Sequence, residues 1–243
     1  MIGPRLKTPS ADSGAAPSLN FSVFVVIPAF NEATVIGKVI REVREKFEHT
    51  VVVDDGSSDD TAAVARQAGA TVLSHLINRG QGAALKTGID YALARGADII
   101  VTFDADGQHQ AKDIMSVVTP IAKQDFDVVL GSRFLDRSSH VPLGRKIILK
   151  GGAWFTRLVS RLPVTDTHNG LRAMSRSSAQ RIQIRQDGMA HASEILDEVA
   201  RHRLHFCEVP TRVIYTSYSR EKGQSSMAAF RIAFDFLWGK WRG

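Results

Sequence analysis

Short apolar runs alternate with amphipathic stretches along the first 130 residues of the chain. The run from Phe21 to Ile27 is almost wholly apolar and rich in β-branched residues, a pattern typical of a buried parallel strand. In residues 32–47 apolar side chains recur every three or four positions, which predicts an amphipathic helix. Further strands are predicted at 50–53, 71–75, 98–103 and 127–130, and further helices at 59–69, 81–95 and 110–122. This alternation predicts an α/β, Rossmann-like fold with a mostly parallel central sheet and helices on both faces.

The second half of the chain loses this regular alternation. Residues 143–162 carry a helical pattern of apolar and basic side chains, interrupted by two glycines. The pattern then predicts a strand or turn at 166–174, helices at 176–184 and 189–203, a closing strand at 205–215 and a last helix at 226–241. Pro210 has no N–H to donate to a neighbouring strand, so we expect the closing strand at a sheet edge or a bulge.

The length of 243 residues and the hydrophobic content of 44% suit a single domain. We expect residues 1–20 to be a disordered leader, 21–225 the domain, and 226–243 a C-terminal amphipathic helix. Cys207 is the only cysteine, which excludes a disulfide framework and favours a reducing cytoplasm. No stretch approaches the roughly 20 consecutive apolar residues that span a bilayer, and the leader lacks the apolar core of a signal peptide.

Positive charge is concentrated in the second half of the chain. Residues 1–130 contain 12 Lys and Arg against 16 Asp and Glu, whereas residues 131–243 contain 19 against 9. A segment this basic indicates an anionic partner, or simply a solvated basic face. No nucleic-acid-binding motif accompanies the charge, so a phosphate group or an acidic membrane surface is the expected partner.

Polar, glycine-rich patches follow the predicted strands, at 28–32, 54–58, 78–82, 104–109 and 131–133. Ligands of parallel α/β sheets bind at the carboxyl ends of the strands. The composition of the chain and its predicted topology therefore indicate the same edge of the sheet as the functional site.

Two aspartates, Asp104 and Asp106, flank Ala105 directly after a predicted buried strand. Two neighbouring carboxylates can share one hard divalent cation such as Mg²⁺ or Mn²⁺, and Gln108 offers a neutral oxygen nearby. An Asp-x-Asp pattern alone is also common in solvated turns. Neither a dinucleotide-binding glycine fingerprint nor a Walker A sequence is present, which disfavours those classes of nucleotide site.

A second acidic loop begins with Asp54 and Asp55, at the end of the second predicted strand. Their carboxylates are placed to accept hydrogen bonds from a base N–H or a ribose hydroxyl. The alternative is a simple turn, in which Asp59 or Asp60 caps the following helix.

Five motifs follow one another in an order that resembles inverting glycosyltransferase family 2. They are Val26-Ile27-Pro28-Ala29-Phe30-Asn31-Glu32, Val52-Val53-Asp54-Asp55-Gly56-Ser57-Ser58-Asp59, Asn78-Arg79-Gly80-Gln81-Gly82, Phe103-Asp104-Ala105-Asp106-Gly107-Gln108-His109 and Gly131-Ser132-Arg133-Phe134. Within that family the chain is most similar to the polyprenyl-phosphate (dolichyl-phosphate) mannose or glucose synthases, over about residues 22–225.

The resemblance implies a single-domain GT-A fold that binds a nucleotide-sugar donor through a metal ion. The implied metal ligands are Asp104, Asp106 and Gln108, holding Mg²⁺ or Mn²⁺. The implied nucleotide-binding residues are Pro28, Ala29, Asn31, Glu32, Asp54, Asp55, Lys86, Asp104 and Ala105. For Lys86 a solvated position on its helix is an equally good interpretation.

A phosphate acceptor is already anionic and needs no general base, whereas a hydroxyl acceptor does. By the resemblance, Arg133 and Arg145 would grip the phosphate of a lipid acceptor, with Arg172 and Lys222 as further cations. Many relatives have Ser-Lys where this chain has Ser225-Ser226, so Lys222 is the substitute there.

The resemblance also implies four catalytic residues: Asp106, Arg133, Asp166 and Glu194. If the acceptor were a saccharide hydroxyl, Asp166 or Glu194 would be the candidate base. Otherwise these two carboxylates would bind sugar hydroxyls or brace the arginines. For His168 and His191 we expect packing or surface roles.

The last predicted helix carries Phe and Trp side chains along one side and basic residues beside them. Such a helix can lie in a membrane interface, or pack on the core, a second copy of the chain or a separate membrane partner. We therefore expect a cytoplasmic enzyme, peripheral on the inner membrane face, that transfers a hexose from a GDP- or UDP-sugar to a polyprenyl phosphate. The alternatives are transfer to a saccharide or lipid-linked saccharide hydroxyl, and a catalytically silent nucleotide-sugar-binding protein.

Overall fold

The computed structural model describes residues 21–135 and 162–214. The predicted leader at 1–20, nearly all of the helix at 143–162, and the last helix at 226–241 lie outside the described residues. Arg145 and Lys222 lie outside them too.

Seven strands form one sheet in the order β3-β2-β1-β4-β6-β5-β7. They are β1 (Val23–Ala29), β2 (His49–Asp54), β3 (Thr71–Ser74), β4 (Ile99–Thr102), β5 (Val128–Ser132), β6 (Arg172–Ser175) and β7 (Phe206–Pro210). Six strands run in the same direction, and only β6 is antiparallel to its neighbours β4 and β5. The predicted, mostly parallel α/β sheet is confirmed, and β7 with Pro210 lies at its edge as expected.

Six α-helices connect the strands in the described part of the chain. They are α1 (Ile36–Arg44), α2 (Thr61–Gln67), α3 (Gln81–Ala94), α4 (Ile114–Ala122), α5 (Arg176–Arg181) and α6 (His191–Arg201). The first helix begins four residues later than predicted, because the Glu32 carbonyl accepts hydrogen bonds from Val35 and Ile36 in a preceding turn. The region 166–174, predicted as a strand or turn, is a turn that leads into β6.

The sheet separates two hydrophobic cores, as the alternation of β1 shows. Val25 and Ile27 pack on one face, in a core to which α1, α2 and α4 contribute Ile36, Ala65 and Ile114. On the opposite face, Phe24 and Val26 pack with side chains of α3, α5 and α6, among them Leu85, Ala179 and Ile195. Because successive strand residues point to opposite faces, a strand covered on both sides must be apolar at every position.

This arrangement gathers the carboxyl ends of the six parallel strands along one edge of the sheet, which we call the carboxyl edge. The polar motifs following β1, β2, β4 and β5 therefore lie on the same side of the molecule. No helix in the described part of the chain combines the length and apolarity that crossing a bilayer requires.

A first prediction concerns Gly88, where α3 packs on the sheet. A Cβ at this position would lie 2.3 Å from Val26 Cγ1 and 3.1 Å from Val53 Cγ2, both fully buried. We expect Gly88→Ala to lower the free energy of unfolding by about 1–2 kcal/mol, because overpacking outweighs the better helix propensity of alanine.

Denaturant unfolding measures this effect, with Gly188→Ala as the matched control. Nothing lies within 4 Å of a Cβ on Gly188, so this variant should change stability by less than about 0.5 kcal/mol. An unchanged or higher stability of Gly88→Ala would contradict the packing described for α3.

Candidate active site

Asp104 and Asp106 lie just beyond β4, on either side of the buried Ala105. Asp104 Oδ2 is 3.2 Å from His109 Nε2, and Gln81 Nε2 donates to Asp104 Oδ1 at 3.2 Å. Gly170 lies directly against this carboxylate, since a Cβ there would fall 2.1 Å from Asp104 Oδ2. The Asp104 carboxylate is therefore positioned by three separate segments of the chain.

Asp106 is held by Gln108, which donates to its two carboxylate oxygens from the backbone N–H at 2.9 Å and the side-chain amide at 2.6 Å. Burial, together with the negative charges of Asp104 and Glu32, raises the pKa of Asp106 to about 6. The hydrogen bond from the Gln108 backbone and the charge of His109 oppose this rise. Crowded carboxylates of this kind repel one another, and a cation between them would relieve the repulsion.

Asp104 lies in a different electrostatic environment from Asp106. Burial by itself would raise its pKa, but the hydrogen bond and charge of His109 and the charges of Arg133 and Arg172 outweigh that effect. The pKa of Asp104 is therefore lowered, and the group is kept ionised. The acidic pair thus lies beside a cationic pair on the same edge of the sheet.

Arg133, directly after β5, forms a buried ion pair with Asp166. Its Nε donates to Asp166 Oδ2 at 2.6 Å, its backbone N–H donates to the same oxygen at 3.1 Å, and a terminal nitrogen donates to the His168 carbonyl at 3.0 Å. The two side chains are 6% and 1% exposed. Removing one partner of such a pair leaves an uncompensated buried charge, so each of the two fixes the other.

Glu208 of β7 supports this ion pair from the edge of the sheet. Its carboxylate accepts hydrogen bonds from the Thr165 N–H at 2.8 Å, the Asp166 N–H at 3.1 Å and the Thr165 hydroxyl at 3.0 Å. The Thr165 hydroxyl also lies 2.6 Å from Ser132 Oγ at the end of β5. A chain of hydrogen bonds thus runs from Glu208 through the 165–166 turn to Arg133.

Arg172, at the start of β6, is a buried cation bonded to backbone carbonyls. It donates to Thr167 at 2.9 Å, Asn169 at 3.0 Å and Ala192 at 3.3 Å. Burial lowers its pKa to about 10, while Asp104 and Asp166 oppose that effect, so it keeps its charge at neutral pH. These contacts make Arg172 a fixed positive charge behind Asp104.

The loops after β1 and β2 are joined through Asn31, which has a φ of +54°. Its backbone N–H donates to Ser57 Oγ at 2.9 Å, and its Oδ1 accepts from the Ser58 N–H at 2.9 Å. Asn tolerates this left-handed backbone conformation better than most residues. Glu32 and Asp54 are buried beside this junction, and Pro28 and Ala29 belong to β1.

The carboxylate of Asp55 is bonded within the chain. It accepts from the backbone N–H groups of Arg79 at 3.0 Å and Gly80 at 2.6 Å, and lies 2.7 Å from His75 Nδ1. The other ring nitrogen of His75 is 2.9 Å from Thr87 Oγ1. Asp55 therefore holds the 78–80 loop against β2.

Lys86 and Glu194 make their contacts away from the acidic and cationic pairs. Lys86 forms an ion pair with Asp90 on the exposed side of α3, the solvated position that its sequence context also allowed. Glu194 Oε2 accepts from the backbone N–H groups of Arg185 and Gln186, both at 2.9 Å. Burial raises the pKa of Glu194, and its carboxylate positions the 185–187 loop.

Two histidines near the site are neutral at pH 7: His191 is buried and His168 is half-buried. His191 Nδ1 lies 2.9 Å from the Gly188 carbonyl, and His168 Nδ1 lies 2.7 Å from Thr167 Oγ1. Burial lowers the pKa of each to about 4. Each ring therefore makes a local contact within its own turn, and the packing or surface role expected from the sequence stays a prediction.

Six of the expected residues are linked to one another by hydrogen bonds, an ion pair or charge interactions: Asp104, Asp106, Gln108, Arg133, Asp166 and Arg172. Sequence reasoning missed Glu208, His75 and His109. A glutamate inside the apolar strand Phe206–Pro210 is a signal for a buried, hydrogen-bonded carboxylate. His109 ends the motif that begins at Phe103, but nothing in that pattern indicated its contact with Asp104.

Comparison of the sequence with known proteins identifies a matching family and related proteins. The family model for glycosyl transferase family 2 matches residues 24–183. The chain is 33% identical over 237 residues to a UDP-N-acetylglucosamine–dolichyl-phosphate N-acetylglucosaminyltransferase of Methanococcus voltae, covering 88% of this chain and 94% of that protein. It is 29% identical over 218 residues to an undecaprenyl-phosphate mannosyltransferase of Micrococcus luteus, covering 85% and 87%.

Among solved structures, the fold is similar to glucosyl-3-phosphoglycerate synthase of Mycobacterium tuberculosis in complex with Mn²⁺ and uridine-diphosphate-glucose. The TM-score is 0.69 at 21% identity, covering 88% of this chain and 76% of that one. A likeness at this level of identity shows the fold alone, and it confirms the expected GT-A type.

A second prediction tests the link from Glu208 to Arg133. We expect Glu208→Gln to lower the free energy of unfolding by about 1–3 kcal/mol, because an amide cannot accept all three donors that the carboxylate satisfies. The Arg133 Nε–H signal in a proton–nitrogen NMR spectrum should shift as well, since Asp166 is displaced.

Glu198→Gln is the matched control for this variant. Glu198 is equally buried and accepts from the Gln183 N–H and from Arg201, but these contacts lie in the segment after α5 and on α6 rather than on the Asp166 turn. Glu198→Gln should have a lower free energy of unfolding than the unmodified protein, and its Arg133 Nε–H signal should not shift. An unshifted Arg133 signal in Glu208→Gln would show that Glu208 does not position the ion pair.

A third prediction concerns the buried His191. The unfolded chain takes up a proton here near pH 6.5, whereas the folded pKa is about 4. The stabilisation is therefore complete above pH 6.5 and lost as the pH falls to 4, a loss of about 3 kcal/mol. We expect His191→Asn to lack this component, so that its stability falls less steeply with acidification.

Urea unfolding at a series of pH values measures this slope. His205→Asn, at an exposed position, should retain the slope of the unmodified protein. Parallel stability profiles for the protein and His191→Asn would contradict the burial of a neutral His191.

Proposed function

This chain belongs to glycosyl transferase family 2, and from that membership we propose that it transfers a hexose from a UDP- or GDP-sugar to a polyprenyl phosphate, with inversion at the anomeric carbon. The observation that carries the proposal is the pairing of acidic and cationic groups at one edge. The positive charges of both Arg133 and Arg172 help to lower the pKa of Asp104. Carboxylates suit a metal-bound diphosphate, and guanidinium groups suit the phosphate of an acceptor.

The names of the relatives support a lipid-phosphate acceptor. The Methanococcus voltae protein is named for transfer to dolichyl phosphate, and the Micrococcus luteus protein for undecaprenyl phosphate. The alignments cover most of both proteins, including the segments that carry Arg133 and Asp166 here. This support extends to the class of acceptor, a polyprenyl phosphate, and leaves the choice of sugar open.

The donor set fits Mg²⁺ or Mn²⁺. Within residues 21–135 and 162–214, no three acidic, histidine or cysteine side chains converge as a complete ligand set. Asp104 and Asp106 with the Gln108 amide supply two charged oxygens and one neutral oxygen, and Mg²⁺ commonly completes such a set with water and substrate phosphates. Burial and the negative charge of Asp104 raise the pKa of Asp106, and a cation beside this carboxylate would offset both effects. When bound, the metal would stabilise the charge of the departing diphosphate.

Other residues of the chain would orient the acceptor phosphate and border the nucleoside. Arg133 would orient the acceptor phosphate, and Asp166 would hold the guanidinium in place through the bonds described above. A phosphate oxygen forms the new bond to the anomeric carbon while the bond from that carbon to the diphosphate oxygen breaks. Asp54, Glu32 and the Asn31 junction border the expected nucleoside position, at the ends of β1 and β2.

The engagement of the two candidate bases favours a phosphate acceptor over a saccharide hydroxyl. Asp166 is committed to Arg133, and Glu194 to the backbone of the 185–187 loop. A hydroxyl acceptor needs a carboxylate that can take its proton. A phosphate acceptor needs none, which matches this arrangement.

A polyprenyl phosphate is anchored in a membrane, so we propose that the enzyme acts as a peripheral protein at the cytoplasmic membrane face. The basic charge of the second half of the chain supports attraction to anionic lipids.

The fourth prediction tests the transfer and its metal site together. Purified protein is incubated with Mn²⁺, a panel of UDP- and GDP-sugars and a short-chain polyprenyl phosphate, and the sugar lipid is quantified. We expect transfer that chelation abolishes and that Asp106→Asn lowers at least about 100-fold, because several kcal/mol of charge stabilisation are lost. Calorimetry in the presence of the nucleoside diphosphate should show that Asp106→Asn binds Mn²⁺ more weakly than the unmodified protein does.

Asp90→Asn is the control, because this exposed aspartate pairs with Lys86 on the outer side of α3. It should keep both activity and metal binding. Transfer to a saccharide hydroxyl with none to the phosphate would overturn the acceptor, and full activity of Asp106→Asn would overturn the metal role.

A further inference from the structure

Each exposed large hydrophobic side chain among the described residues lies in a loop that follows a strand of the sheet. Leu76 is fully exposed, and Ile77, Phe30, Leu135 and Ile214 are 69%, 44%, 44% and 39% exposed. Phe30 follows β1, Leu76 and Ile77 follow β3, Leu135 follows β5, and Ile214 follows β7. All five therefore lie beyond the carboxyl ends of parallel strands. We call this set the apolar edge.

Contacts between the loops place the apolar edge beside the active site. The backbone of Ile77 lies against Gly56, where a Cβ would fall 2.6 Å from the Ile77 carbonyl carbon. The Ile214 N–H donates to the Gln108 carbonyl at 2.9 Å. Phe30 precedes Asn31, whose side chain joins the first two loops.

These residues are spread along the whole carboxyl edge of the sheet and are not gathered at one point. They follow both end strands, β3 and β7, and the interior strands β1 and β5. Six strand spacings separate β3 from β7, which is about 30 Å. Single exposed apolar residues are normal on a protein surface, but chance exposure does not explain five that share one edge.

Charge favours an anionic surface as the partner. The described residues contain 18 Lys and Arg against 21 Asp and Glu. Residues 136–161, which follow Leu135, contain six against one, and residues 215–243, which follow Ile214, contain five against two. Both basic segments thus join the described part of the chain at the apolar edge.

We propose that the apolar edge rests on an anionic lipid bilayer, so that the active site faces the membrane. The choice of a bilayer rests on the proposed function, in which the acceptor is a lipid phosphate. Apolar side chains at separate points of a broad edge can each enter the interfacial layer of a bilayer, where anionic headgroups attract the nearby basic segments.

The chain itself offers a clean way to test this orientation. Its only cysteine, Cys207, is 2% exposed, so an introduced surface cysteine can be labelled selectively. The test compares Leu76→Cys with Ala94→Cys, each carrying the same polarity-sensitive fluorophore. Ala94 is exposed at the end of α3, on the opposite edge of the sheet.

Vesicles of equal parts phosphatidylcholine and phosphatidylglycerol are added at low salt. We expect the label at position 76 to shift to shorter wavelength and gain intensity, and the label at position 94 to stay unchanged. In a sedimentation assay, Leu76→Ser should bind the vesicles about tenfold more weakly, since one buried Leu side chain is lost.

Three results would overturn the proposal: no response of either label, an equal response of both, or a response at position 76 that needs no vesicles. The last result includes a response to uridine diphosphate with Mn²⁺, or to protein concentration alone, which would point to a ligand or a second copy of the chain. No substrate turns over in this assay. Its failure is therefore distinct from a failure of sugar transfer to a short, dispersed acceptor.

Discussion

The buried ion pair between Arg133 and Asp166 is the interaction on which the second half of this structure depends. A guanidinium and a carboxylate with almost no exposure are tolerated only when they meet each other and further hydrogen bonds. Arg133 comes from the end of β5, Asp166 from the turn before β6, and Glu208 from β7. One electrostatic requirement thus holds together three segments that are distant in sequence.

The same pair links the fold to its chemistry. Asp104 at the end of β4 feels the positive charges of Arg133 and Arg172, which keep it ionised although it is buried. Asp106, two residues later, has a pKa that burial and the negative charge of Asp104 raise to about 6. Two aspartates of one short motif therefore have opposite electrostatic environments, because only one of them lies close to the arginines.

The opposite end of the site uses its polar groups to position loops. Asn31 and Asp55 both have motif positions that suggest ligand binding, yet their side chains bond to neighbouring loops. The Asp55 carboxylate accepts hydrogen bonds from two backbone N–H groups and contacts His75. These contacts fix the conformation of the 78–80 loop. Glu194 has the same kind of role at the 185–187 loop.

Local pattern was sufficient for the architecture. Continuous apolar runs such as that of β1 predict strands covered on both faces, and the regular alternation of the first 130 residues predicts a parallel sheet whose carboxyl ends share an edge. The position of the acidic motif after β4 and of Arg133 after β5 followed from that topology. The start of α1 was placed too early, because the turn at Glu32 has the same apolar spacing as the helix.

What a side chain contacts was decided only by the tertiary structure. The sequence by itself determined the order of the elements, the acidic motif, the basic second half and the family resemblance, since these depend on spacing and composition. It did not show that Glu208 supports Asp166 or that His75 bonds to Asp55. Those contacts join residues through the packing of helices and loops against the sheet, and most of the partners are distant in sequence. Their geometry therefore exists only once the chain has folded.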